Sequence, residues 1–342
     1  MNLSNVDELQ GVYFLSIIII VAVIVCVAKL IAYYGNNNYV HDKVIFYCIN
    51  NRYEQAFALL GKKLSKSPGS PALNNEMGYA LILANRPQEA KPYLVKAARL
   101  DTREITPLVN LSWACIKLRE YKEAIEYSEK VLSLYPKDVN SWINKGASHF
   151  SLWQFSEACQ YFGKALKLAP ESSRSLFGYG ASCYHLGKTE EAISALKKYI
   201  RLIPNDSAAY EYLAWCCRKM GNTEQEIQIC KMILIIDETI PRIYFYLGEC
   251  HHSLGDYGKS LEYLEKAIEL DPVNPEAYYL KSRSLCRLKR NMEAIDALRA
   301  AINIDGSLKS KTLEEEDLDG IKVFQEFQEL FIISDVDNDS AV

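Results

Sequence analysis

The pattern of apolar and polar positions changes character near residue 35. Before that point, Gly11 to Ala28 reads GVYFLSIIIIVAVIVCVA without a charge, and beyond Lys29 the apolar stretch resumes from Leu30 to Tyr34. About 20 apolar residues in a helix cross the hydrocarbon core of a bilayer, so residues 12–34 are expected to form a transmembrane helix. Tyr13 and Phe14 at one end, and Tyr33 and Tyr34 at the other, suit the two interfaces. Lys29 can reach toward headgroups. The preceding residues include Asp7 and Glu8 but no Lys or Arg, and no small-x-small site follows the run, which argues against a cleaved signal peptide. Lys29, Lys43, Arg52, Lys62 and Lys63 all follow the span, so the positive-charge asymmetry places the larger C-terminal part in the cytoplasm.

After Gly35-Asn36-Asn37-Asn38, read as a hinge, the apolar positions take a helical period and the whole pattern repeats. NRYEQAFALLGKKLSKSP, EYKEAIEYSEKVLSLYP, QFSEACQYFGKALKLAP and DYGKSLEYLEKAIELDP share a polar opening, a small residue, apolar positions at helical spacing and a closing proline. Anchored on the small residue, the copies fall at Ala56, Ala90, Ala124, Ala158, Ala192, Glu226, Ser260 and Ala294, every step being 34 residues. Pro68, Pro136, Pro170, Pro204 and Pro272 close five copies in register. Twelve positions before the anchor a second small residue recurs at Gly78, Ser112, Gly146, Gly180, Ala214, Gly248 and Ser282. Small residues at two such positions let two antiparallel helices cross closely, and proline, lacking an N–H, ends the second helix. Gly187-Lys188, Gly221-Asn222 and Gly255-Asp256 read as the turns between helices. One such pair cannot bury its apolar face alone, so neighbours must stack.

This period and pattern resemble the tetratricopeptide repeat. Together with the apolar N-terminal run, the resemblance gives the expected all-α fold: a single N-terminal transmembrane helix, then a right-handed solenoid of helix pairs with a C-terminal capping helix. It divides the chain into a tail (1–11), a transmembrane helix (12–34), a hinge (35–38), eight repeats over 37–308, a capping helix (309–333) and an acidic tail (334–342). The repeats run 37–70, 71–104, 105–138, 139–172, 173–206, 207–240, 241–274 and 275–308. Repeat one departs most, with Lys43 and Val44 where apolar and small residues belong, and repeat six departs at Glu226, so looser packing is expected there. Leu318, Ile321, Phe324, Phe327 and Phe331 recur at helical spacing, which predicts the capping helix.

Composition narrows the function. The 342-residue chain is 49% hydrophobic and 24% charged, enough for a core. A net charge of −4 gives no electrostatic footprint for nucleic acid. Ten cysteines occur with no Cys-x-x-Cys pair and no zinc-type spacing, and they read as free, buried thiols in a reducing compartment. No glycine-rich phosphate loop, nucleophile elbow or metalloprotease helix is present. His251-His252 point about 100° apart on a helix and cannot ligate one metal together. His149 and His251 occupy one repeat position, as do Cys115, Cys183 and Cys217, which points to a packing slot. No cofactor or metal, and no catalytic residue, is expected.

The resemblance places the informative surface on the inner face of each first helix, where relatives capture peptides. Mapped residue by residue, that face carries Tyr79, Asn110, Trp113, Phe150, Phe177, Tyr184, Tyr212, Trp215, Arg218, Arg242, Phe245, Tyr246, Tyr279 and Arg287. Aromatic and arginine side chains are the common interface anchors. In repeats six to eight Arg218, Lys219, Arg242, Arg283 and Arg287 outnumber Glu211, Glu249 and Glu276, which predicts a ligand with apolar side chains and some negative charge. The Lys and Asn pair with which relatives clamp chaperone C-terminal tails occurs in no repeat, so those tails are disfavoured as partners. The expected function is a membrane-anchored scaffold for proteins or peptide segments. The alternative is an assembly or targeting factor, like an import receptor or an envelope-biogenesis protein, that receives extended clients.

Overall fold

The computed structural model describes residues 39–332. The tail, the expected transmembrane segment, the hinge and the acidic C-terminus lie outside them. Among the described residues no helix is long and apolar enough to cross a membrane. Those residues form eighteen α-helices and no strand, divided between one compact unit up to Leu168 and another from Ala169 onward.

The first unit holds four helix pairs: α1 (Tyr39–Ile49) with α2 (Tyr53–Leu64), α3 (Pro71–Leu83) with α4 (Pro87–Leu100), α5 (Thr106–Lys117) with α6 (Tyr121–Leu134), and α7 (Val139–Ser151) with α8 (Phe155–Leu168). The second holds α9 (Ser173–His185) with α10 (Thr189–Leu202), α11 (Ser207–Lys219) with α12 (Thr223–Ile236), α13 (Pro241–Ser253) with α14 (Tyr257–Leu270), and α15 (Pro275–Arg287) with α16 (Asn291–Ile304). After these come α17 (Leu308–Glu314) and α18 (Gln325–Ile332).

Local chemistry sets these boundaries. Ser70, Asp138, Ser172, Asp206 and Asn274 each precede a first helix and accept a backbone N–H from its first turn, which satisfies a donor the helix itself cannot. Each pair turns through a residue of left-handed backbone at the same register: Asn51, Asn85, Arg119 and Trp153 in the first unit, then Gly187, Gly221, Gly255 and Lys289. The next N–H closes back onto the helix, as in Arg52 N to Tyr47 O and Lys188 N to Cys183 O, the Schellman closure. Trp153 is the bulky exception and is 78% exposed. Proline proves unnecessary for ending the second helix. Without one, α4 and α12 stop in the same register, where extended Asp101 and Asp237 accept the N–H of Arg103 and Thr239.

The crossings are built as the small residues suggested. A side chain at Gly78, Gly180 or Gly248 would run into Leu94, Leu196 or Leu264, and one at Gly146 would press on the Phe162 ring. Repeat three replaces glycine and leucine with Ser112 and Ser128, whose hydroxyls meet at 2.7 Å and both bond the Ala124 carbonyl. In repeat one Val44 is fully buried, packed in one cluster with Ala56 and Leu60. The looseness expected at Glu226 is not observed: its side chain is buried and its carboxylate takes Arg218 from the same helix pair.

The array does not end in one helix. The chain leaves α17 at Glu315, whose backbone is extended, makes a 3-10 turn over Glu316–Leu318 and enters a helix again only at Gln325. The break follows from charge and burial together. Asp317 is drawn to Arg283 and His252, while Leu318 and Ile321 are fully buried.

Candidate functional site

In the second unit the first helices α9 and α11 bring four of the expected anchors together. Tyr212 lies with its ring 5.8 Å from Phe177, 5.6 Å from Tyr184 and 5.1 Å from Trp215, all edge-on. Tyr184 and Trp215 are 5.7 Å apart. Such tilted arrangements are the favoured geometry of aromatic pairs. Lys219 sits 4.0 Å from the Tyr184 ring centroid and donates to the Tyr184 carbonyl. The rings are half-buried rather than enclosed. Burial pushes the Tyr184 and Tyr212 phenols above their ordinary range and the His185 imidazole below its own, so the cluster is uncharged at neutral pH apart from Lys219.

The arginines do something other than the sequence suggested. Arg218 reaches the buried Glu226 at 2.5 Å and Glu249 at 2.9 Å, and its guanidinium lies 4.5 Å from the Tyr246 ring. Arg242 pairs with the buried Glu211 at 2.5 Å. Arg283 binds Glu315 and Asp317, and Arg287 lies 3.7 Å from Asp317 while donating to the Tyr257 hydroxyl. Acids of the same unit therefore take up all four guanidinium charges, and of the basic residues expected at these positions Lys219 stays at the aromatic cluster. Burial would raise the Asp317 carboxyl, but hydrogen bonds from His252 and Arg283 hold it below the usual range.

Tyr279 requires a correction. It is 1% exposed, packed in the core beneath the C-terminal segment, with Lys311 4.6 Å from its ring centroid. Because α17 covers it, Tyr279 is a core residue, not an anchor. Phe245 also contributes to packing, lying against Leu264, Ala277 and Leu280, with Tyr246 beside it at 6.0 Å.

The first unit gathers a different set. Tyr79 and Trp113 are neighbours at 6.0 Å, and Phe150 meets Phe155 at 5.3 Å near the exposed Trp153. Asn110 is buried, donating to Asn75 at 2.9 Å. Of these, Asn75, Tyr79 and Asn110 line an open cleft of about 320 Å³ on α1, α3, α5 and the start of α7. His41 and Glu76 belong to that cleft, joined at 2.8 Å, and neither was among the expected site residues. The available signal was local: Glu76 stands where Asn110 and Asn144 stand in the next two repeats.

The recurring histidine position is a packing slot, as its periodicity implied. His149 packs on Tyr161 and His251 stacks on Tyr263, each tyrosine coming from the second helix of the same pair. His252 instead bonds Ser284 and Asp317. Nine cysteines among the described residues are buried and unbridged. Cys115, Glu120 and Glu123 converge closely enough to suggest a cation site. The Lys91 ammonium already occupies it, 2.7 Å from each carboxylate, and burial first, then the nearby carboxylates, push the Cys115 thiol up to about 12.

Comparison with known families follows the same geometry. The tetratricopeptide repeat model matches residues 241–274, and a second model of that repeat matches 263–296. Residues 241–296 carry tetratricopeptide repeats. The model of the anaphase-promoting complex, cyclosome, subunit 3 matches residues 117–199. No curated protein sequence matches the chain. Among solved structures, a tetratricopeptide repeat protein from Parabacteroides merdae is similar at 19% identity and a TM-score of 0.49, over 72% of this chain and 98% of that one. YrrB, described as a TPR protein with an unusual peptide-binding site, is similar at 19% identity and a TM-score of 0.48, over 54% and 97%. MamA is similar at 22% identity and a TM-score of 0.47, over 51% and 94%.

Proposed function

We propose that the chain is a membrane-anchored scaffold. Residues 12–34 hold it in the bilayer, the repeats lie on the cytoplasmic side, and extended segments of partner proteins bind along the inner faces of the first helices. The observation that best supports this reading is the cluster of Phe177, Tyr184, Tyr212 and Trp215. Four large rings stay half-buried and packed on one another. Rigid aromatic side chains of this kind contribute disproportionately to protein interfaces.

The test compares the full-length chain with a Tyr212→Ala, Trp215→Ala double variant, both tagged at the C-terminus, by crosslinking in intact cells. Truncating true anchors costs about 2 kcal/mol or more each, so partners recovered with the wild type should be lost while membrane fractionation and helicity stay unchanged. Full retention of those partners would move the binding surface elsewhere. Recovery of the wild type in the soluble fraction, or protease access to the repeats in unopened cells, would overturn the anchor and its orientation.

A further inference from the structure

We infer that the cleft on α1, α3, α5 and α7 receives a lysine or arginine side chain of an extended peptide, with Glu76 as the acceptor of its cation. This rests on the scaffold reading and adds to it the chemical class of the segment bound by the first unit.

The starting point is an unsatisfied group. Glu76 is 16% exposed; its Oε1 lies 2.8 Å from His41 Nδ1, while its Oε2 is buried with no hydrogen-bond partner among the described residues. A buried carboxylate oxygen without a partner carries a large desolvation penalty, and such atoms are rare in folded proteins. A ligand cation against this carboxylate offsets that penalty through its charge, so affinity and selectivity share one physical source.

The rest of the cleft has the same sign. Neither Lys nor Arg lines it. Its other charged residue is Asp138, whose Oδ1 is already engaged in capping α7 through the Ser141 N–H at 2.7 Å. An anionic ligand or an acidic lipid surface would meet these two carboxylates with no resident Lys or Arg to offset them. A bare metal ion is a poorer occupant, since one carboxylate with one unpaired oxygen falls well short of a coordination shell.

The neutral groups point to a peptide carrying that cation. Asn75 and Asn110 bridge neighbouring first helices through one hydrogen bond at 2.9 Å, which uses one acceptor and one donor. The remaining amide capacity of the pair can bond both the C=O and the N–H of an extended backbone. Asn140 lines the cleft from α7, and Tyr79 offers an apolar wall for the aliphatic stem of a long cationic side chain. The volume of about 320 Å³ is at the small end of ligand pockets. It matches one long side chain with its flanking peptide groups.

The test uses the full-length chain in detergent micelles and a positional-scanning library of nine-residue peptides. The expected result is enrichment of Lys or Arg at one position by the wild type. Glu76→Gln should bind the selected peptide about tenfold or more weaker, as for loss of one partner of a desolvated charge pair, with its thermal melt unchanged. A peptide with norleucine in place of the selected basic residue should bind wild type and Glu76→Gln alike. If Glu76→Gln fails to fold, the norleucine peptide on the wild type decides: undiminished binding overturns the inference. Selection of peptides without a basic position, or an unaltered basic preference in Glu76→Gln, overturns it while leaving the scaffold reading in place. No enrichment of any peptide by the wild type overturns both.

Discussion

Arg218 folds back onto Glu226 of its own helix pair, with Nε 2.8 Å from Oε1, and so neutralises a carboxylate at a position where most repeats carry alanine. Removing only the arginine strands a buried negative charge. A fully buried pair loses about 3–5 kcal/mol on such a change. Arg218 is 37% exposed on its side chain, so solvent screens part of the loss, and Arg218→Ala should cost about 2–3 kcal/mol in denaturant melts. The double variant Arg218→Met, Glu226→Ala should recover most of it, because it removes the stranded charge and restores the alanine that most repeats carry there. A double variant as unstable as Arg218→Ala would mean that the pair was not the cause.

The glycines separate into two classes with opposite expected signs. An added Cβ would lie 2.4 Å from Leu94 Cγ at Gly78 and 2.8 Å from Leu196 Cγ at Gly180, both leucines being fully buried. Gly78→Ala and Gly180→Ala should each lose about 1–3 kcal/mol by overpacking. At Gly61 in α2 a Cβ meets nothing within 4 Å, so Gly61→Ala should gain about 0.5–1 kcal/mol from helix propensity. Thermal melts of the three single variants check the order, and a stabilised Gly78→Ala would break the crossing geometry.

Burial pushes the Cys230 and Cys250 thiols up to about 12 and Cys216 up to about 11. Iodoacetamide at pH 8 should leave all nine described cysteines unmodified in the native chain and reach them after denaturation. The raised values also fix a sign. Below the unfolded thiol value of about 8.5 both states are protonated and stability is complete. Above it the unfolded state loses protons first, so stability falls as pH climbs toward 12. Tyr199 and Tyr279, pushed up to about 12 mainly by burial, add to the same alkaline loss. Equal stability at pH 8 and pH 10.5 would contradict this.

Asp317 ties the C-terminal segment to the final repeats, accepting His252 Nε2 at 2.9 Å and Arg283 Nη2 at 2.7 Å. Asp317→Ala should speed amide exchange across residues 308–332 while leaving α9 to α12 protected. Because the folded carboxyl is held below its usual range, its contribution is present above the unfolded value of about 3.9 and is lost as pH falls through the lower folded value. Uniform exchange throughout the second unit would indicate global destabilisation rather than release of the cap.

The sequence by itself determined the helical class and its pairing. A 34-residue step with two small positions twelve residues apart is a local constraint, since helix period, caps and crossings all act within one or two neighbouring helices. The same locality made the histidine and cysteine slots readable. Only the tertiary structure decided which polar groups remain for a partner. Arg242 is spent on Glu211, 31 positions away, and Arg283 on Asp317, 34 positions away, and no periodic pattern distinguishes a guanidinium facing solvent from one already paired. Tyr279 read as a surface anchor because its register matches that of the inner face, yet a segment beyond the repeats covers it. Glu76 was passed over for the converse reason: its place in the cleft depends on its burial beside His41, which only the packing of α1 against α3 sets. Charge pairing and burial are pairwise properties of distant residues, whereas the repeat is a property of spacing along the chain.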